Sequence, residues 1–132
     1  MTRSIFMDKY PIFTLEVPKS ESRFENVGEI IEHFKREIEA DPVAAYIGDF
    51  DHYEHTSTLG GEIHLQMNAA KMVVFCFGQK LLNPSIMAAR PRSIAVADMG
   101  EHYVFTFLEA PVEVINDTLQ GWVEKSLKTY KD

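Results

Sequence analysis

The sequence predicts an α+β domain: a two-layer sandwich of helices packed on a mostly antiparallel or mixed sheet of about five strands. Three observations predict it. Strand and helix patterns mix along the chain without regular βαβ alternation. Met99-Gly100 separates two strand-like segments and marks an antiparallel hairpin, with glycine supplying the turn geometry. Two longer segments carry apolar residues at helical spacing along one side, and each such stripe needs another layer to cover it.

The elements follow in chain order. In Tyr10 to Val17 (YPIFTLEV), Phe13, Leu15 and Val17 share one face, with Thr14 and Glu16 on the other, the alternation of a half-buried strand. Pro18 ends it. Ser22, with Glu25 three residues later, reads as a capping box. The helix behind it places Phe24, Val27, Ile30, Ile31, Phe34 and Ile38 inward and Glu29, Glu32, Lys35 and Arg36 outward. His33 falls among those surface charges and receives no role. Asp41-Pro42 closes the helix, because proline pushes the residue before it out of the helical region.

Val43 to Phe50 reads as a second strand, and Asp51 to Leu59 as a short helix or turn stopped by Gly60-Gly61. Lys71 to Phe77 (KMVVFCF) is the strongest strand signal, and its unbroken apolar run predicts a central place with both faces covered. Asn83-Pro84 starts a short helix, with asparagine as cap and proline at the first helical position. Ser93 to Asp98 and His102 to Glu109 are the hairpin strands. Pro111 opens the last helix, whose buried stripe is Val112, Ile115, Leu119, Val123 and Leu127, flanked by Trp122.

Composition bounds the function. The length of 132 residues suits one domain, 1–132, which needs no metal or disulfide staple to fold. Hydrophobic residues at 45% and charged residues at 25% exclude bulk disorder. A formal net charge of −7 argues against nucleic acid and against an anionic membrane surface. One cysteine, Cys76, cannot form an internal disulfide, and its apolar setting reads as a small buried hydrophobe. The first residues, MTRSIFMDKYP, lack the apolar core of a signal peptide, so a cytoplasmic location is expected.

Candidate chemistry lies in two places. Phe50 to His64 (FDHYEHTSTLGGEIH) holds His52, His55 and His64. On a helix, His52 and His55 at i,i+3 share a face, and His64 can return across the glycine pair, so the three can present imidazoles to one divalent metal. The alternative is a polar loop whose histidines cap, pair with carboxylates or face water. Asp51-His52 is the pair best suited to acid–base work, since a carboxylate near an imidazole fixes its tautomer and raises its basicity. Adjacent residues rarely contact each other, so Asp51 can equally serve the backbone. The second place is basic: Lys80, Arg90 and Arg92, with Ser85 at the start of the short helix, can bind a small anion, or simply balance local acidic charge.

Met67, Met72, Met87 and Met99, with Phe75, Phe77, Phe105 and Phe107, can line an apolar pocket but more often form core. No c-type haem motif, P-loop, Rossmann fingerprint or nucleophile elbow is present, and no cofactor is expected beyond that metal alternative.

Four pieces of the chain resemble a small bacterial family filed as domain of unknown function 302. They are Asp51-His52 after a strand, Gly61-Glu62-Ile63-His64-Leu65, a strand ending in Phe77-Gly78, and Ile86-Met87 followed by Pro91 and another strand. The helix after Ser22 sits where that family has its first helix. The chain departs from the pattern at Gln79-Lys80, which delays Asn83-Pro84, and at Tyr53, Glu54 and His55, where smaller residues are usual. The resemblance implies a compact α+β domain and no established reaction.

The sequence therefore predicts a small binding or accessory module with a small-ligand pocket, anion-accepting, near Asp51-His52. A symmetric homodimer is the common way to cover the second face of such a sheet. A histidine-based, metal-dependent enzyme and a protein-interaction domain are the alternatives.

Overall fold

The structure is a computed structural model that describes residues 1–131. Its elements are β1 (Thr2–Phe6), β2 (Tyr10–Pro18), α1 (Val27–Ala40), β3 (Ala44–Asp51), α2 (His52–Thr58), β4 (Ala69–Phe77), β5 (Arg92–Asp98), β6 (His102–Leu108) and α3 (Glu113–Glu124). Short 3₁₀ turns cover Lys19–Glu21 and Pro84–Ala89. The strands form one six-stranded antiparallel sheet in the order β1-β2-β6-β5-β4-β3. The α+β class is as the sequence predicts, with one strand more.

That strand is β1. It is exposed along its whole length, so no alternation announces it. It returns into β2 through Met7 and Asp8, with φ of 54° and 59°. Consecutive positive φ values characterise tight hairpin turns, usually signalled by Asn-Gly or Asp-Gly, and neither dipeptide is present here.

Helix α1 begins later than the predicted capping box. Ser22 Oγ is engaged locally with the backbone of Phe24 (2.8 and 3.1 Å), and its backbone bridges to Leu127. Asn26 caps instead: its Oδ1 accepts from Glu29 N at 2.9 Å, while Glu29 Oε2 accepts from Glu25 N at 2.7 Å. Asn26 and Glu29 thus form a variant of the capping box, in which Glu29 reaches back past the cap residue to Glu25 N. Helix α1 buries Val27, Ile30, Ile31, Phe34 and Ile38, as its stripe predicts. His33 is buried with them, contrary to its reading as a surface residue.

The core lies between the helices and one sheet face. Phe34 meets Phe105 edge-on, with ring centroids 6.0 Å apart. Trp122 of α3 stacks on Phe77 at 5.5 Å and meets Phe75 edge-on at 5.6 Å. Strand β4 is interior to the sheet, but only one of its faces is buried. Val73, Phe75 and Phe77 enter the core, while Met72, Val74 and Cys76 are half-buried on the other side. Its apolar run reflects small partners there, such as Ala95 opposite Met72, rather than a second layer. Cys76 is therefore not the buried residue the sequence predicts. Among the described residues, no helix is long and apolar enough to cross a membrane.

Candidate functional site: a cationic cleft at the sheet end

Strand β4 leaves the sheet at Phe77, and Gly78 turns the chain with φ of 105°. A side chain there would be doubly disfavoured. The backbone angle suits glycine, and an added Cβ would overlap Nη2 of Arg90. The Arg90 guanidinium occupies that space, and its Nη1 donates to the carbonyl of Lys80 at 3.1 Å. This contact fastens the loop after β4 to the segment that leads into β5.

The predicted short helix at Pro84 is a 3₁₀ turn, Pro84–Ala89. Asn83 caps it as expected, with its Oδ1 accepting from Ser85 N at 2.8 Å. That bond engages the Ser85 backbone donor, and so short a turn offers no helix-terminal seat for an anion.

Arg92 begins β5 opposite Phe75, on the core side of the sheet. It is only 9% exposed. Its Nη1 donates to the Ala89 carbonyl at 3.3 Å and its Nη2 to the Leu108 carbonyl, while its Nε is buried without a partner. Burial lowers its pKa from the ordinary value, because desolvation disfavours the charged form. Among the described residues no carboxylate forms an ion pair with it.

On the far side, Asn116 of α3 brackets the approach to the helix. Its Oδ1 accepts from Ala110 N at 2.7 Å and its Nδ2 donates to Ala110 O at 3.0 Å. This sets the path of Ala110, Pro111 and Val112. Sequence reasoning missed Asn116, although an amide set into the apolar stripe between Ile115 and Leu119 was a usable signal.

These segments enclose a cleft of about 830 Å³, within the usual range for small-molecule sites. Phe77, Ile86, Val112 and Ile115 give it apolar walls. Lys80, Ser85, Arg90 and Arg92, the four residues read from sequence as an anion site, all line it. Among the described residues no Asp, Glu, His or Cys does. In a chain of net charge −7, this is a local concentration of positive charge. The donors and apolar walls equip the cleft to hold a molecule. Without an imidazole, thiol or carboxylate in its lining, they do not form a nucleophile–base pair.

Asp51 and His52 lie at the other end of the sheet. Asp51 pairs with Lys71, whereas the cleft begins at Phe77, six residues along β4 and roughly 20 Å away at the usual strand rise. The cleft thus lies at the opposite end of β4 from Asp51-His52, where the sequence leads one to expect a pocket. Asp51 Oδ1 accepts from Glu54 N at 2.8 Å and caps α2. The rings of His52 and His55 pack on Phe50, at centroid distances of 4.8 and 5.3 Å. His64 turns away to accept from Gln66 N through Nδ1 at 3.0 Å. Among the described residues no group of three or more His, Cys, Asp or Glu is arranged to hold a metal ion, so His52, His55 and His64 are not gathered as a ligand set.

No curated protein and no solved structure matches the chain. No comparison links it to the domain of unknown function 302 that its middle resembles. A family match spans residues 1–128, and by it the chain belongs to the Family of unknown function (DUF6858).

Proposed function

We propose that this protein is a small-molecule binding module and that its ligand site is the cleft between Phe77 and Val112. The observation that carries this reading is the convergence of Lys80, Arg90 and Arg92 on one apolar-walled cleft that no acidic residue lines. Surface cations in an acidic protein are ordinarily interspersed with carboxylates. Among the described residues this buried guanidinium has no carboxylate beside it, and its two carbonyl partners offset only part of the cost of taking its charge out of water. A ligand carrying negative charge offsets that cost when it binds.

The apolar dye anilinonaphthalene sulfonate, which pairs an aromatic body with one anionic group, tests the reading directly. Trp122 is the only tryptophan and stacks on Phe77, a wall of the cleft, so its fluorescence reports occupancy. The expected result is saturable binding of one dye per folded chain, weakened about tenfold, or about 1.4 kcal/mol, by Ile86→Glu. Dye binding that does not saturate, or that Ile86→Glu leaves unchanged, refutes the proposal.

A further inference from the structure

We infer that the cleft takes a monocarboxylic acid with an apolar body, the acid group toward Lys80 and Arg92 and the body against Phe77, Ile86 and Ile115. This rests on the binding reading above and narrows it to a chemical class.

The head group follows from the state of the donors. Arg92 is a poor two-pronged clamp for phosphate, because Nη1 and Nη2 each already spend one N–H on a carbonyl, of Ala89 and Leu108. Its Nε is enclosed, so it acts as a buried positive charge beneath the cleft rather than as a direct ligand. The Arg90 fork is partly spent on Lys80 O and lies against Gly78. Lys80 Nζ is the mobile cation left to touch an anion directly, with the neutral donors Ser85, Gln79 and Asn83 lining the cleft beside it. One mobile cation over one buried charge matches a carboxylate. A phosphate dianion carries more charge and more oxygens than they can satisfy, and the apolar walls would strip it of water without replacement.

The body follows from size and lining. A cleft of about 830 Å³ far exceeds an isolated carboxylate, and most of its wall is carbon. Val112 of the lining is itself exposed, and Leu81, Leu82 and Met87, close in sequence to the lining residues Lys80 and Ile86, are exposed too. A neutral apolar molecule would fill the same space and leave the Arg92 charge uncompensated.

Calorimetric titration with octanoate, octan-1-ol, acetate and inorganic phosphate separates the classes. Octanoate is expected to bind at one per chain and at least about tenfold tighter than octan-1-ol or acetate. Lys80→Gln, an exposed substitution that leaves the fold intact, should weaken octanoate several-fold and leave octan-1-ol unchanged. Arg92→Gln should remove the preference for octanoate over octan-1-ol. Equal affinity for octanoate and octan-1-ol, or an unaltered preference in Lys80→Gln, overturns the carboxylate class while the cleft remains a ligand site. Displacement of octanoate by an equal concentration of phosphate overturns it too. If the dye binds and octanoate does not, the class fails alone. If neither binds, the class and the binding reading fail together.

Discussion

His33 Nε2 lies 2.8 Å from the backbone carbonyl oxygen of Trp122, so a buried imidazole joins α1 to α3. A carbonyl only accepts, so the Nε2 position carries the proton. The ring sits between Phe24 and Phe34, at centroid distances of 5.0 and 5.4 Å. Burial holds the imidazole below its ordinary pKa of 6.5, with the Trp122 carbonyl and Glu37 pulling the other way.

A pH dependence of stability follows. The folded value is depressed, so the unfolded chain takes up the proton first as pH falls. The contribution of His33 is fully present above 6.5 and is lost as pH falls through the folded-state value. Urea unfolding at about pH 7.5 and about pH 5.5 should show a lower midpoint in acid. His33→Gln, which retains a donor toward Trp122, should shrink that difference. An equal drop in both proteins would remove His33 as its source.

Trp122 is the hub of the aromatic cluster formed with Phe75 and Phe77. Trp122→Ala should cost about 3–5 kcal/mol, the range for truncating a buried aromatic. Chemical denaturation followed by circular dichroism reads the change.

Gly78→Ala should destabilise by more than about 1 kcal/mol, because alanine is strained at φ of 105° and its methyl meets Arg90. Adding Arg90→Ala removes the overlap but not the backbone strain. A double-mutant cycle should therefore recover part of the loss. Full recovery would mean that the backbone angle is unimportant, and none would mean that the overlap is.

Asn116→Ala strips both partners from the buried Ala110 backbone. Each group left unsatisfied costs about 1–3 kcal/mol. The same variant should loosen the wall at Val112, which lines the cleft, and weaken dye binding beyond the fall in stability. Asn116→Asp, which keeps the acceptor for Ala110 N, should fall between parent and Ala in unfolding experiments.

At the other end of the sheet, Asp51→Ala should cost about 0.5–2 kcal/mol through loss of the α2 cap. His52→Ala should leave dye affinity at the cleft unchanged. A tenfold or so weakening in His52→Ala would return attention to the Asp51 end.

What the sequence made legible divides along physical lines. Local signals are written in the sequence, so the stripes of α1 and α3, the alternation of β2 and the hairpin of β5 and β6 could be read. The boundary of α1 could not, because Ser22, Glu25, Asn26 and Glu29 offer two overlapping capping solutions and the bridge from Ser22 to Leu127 selects between them. His33 was read as exposed from its neighbours Glu32, Lys35 and Arg36. Its partner, the Trp122 carbonyl, is 89 residues away and carries no side-chain signal. The cations Lys80, Arg90 and Arg92 were visible as a group, since they fall within thirteen residues of sequence. That Arg92 would be buried was not visible, because its burial depends on the end of β6 and on a loop fixed by Asn116. The pull of Asp51-His52 came from residue chemistry alone, and the structure gives that aspartate to a helix cap.

One detail of β3 bears on how readily its free edge can pair with another strand. The register with β4 slips between Tyr46 and Gly48, a bulge that leaves Ile47 outside the ladder at one rim of the sheet. The same strand carries Asp49 and Asp51. A kinked, acidic rim is a poor template for another strand, so the sheet does not invite edge-to-edge polymerisation there. Deleting Ile47 would take away the kink and leave Asp49 and Asp51 to guard that rim.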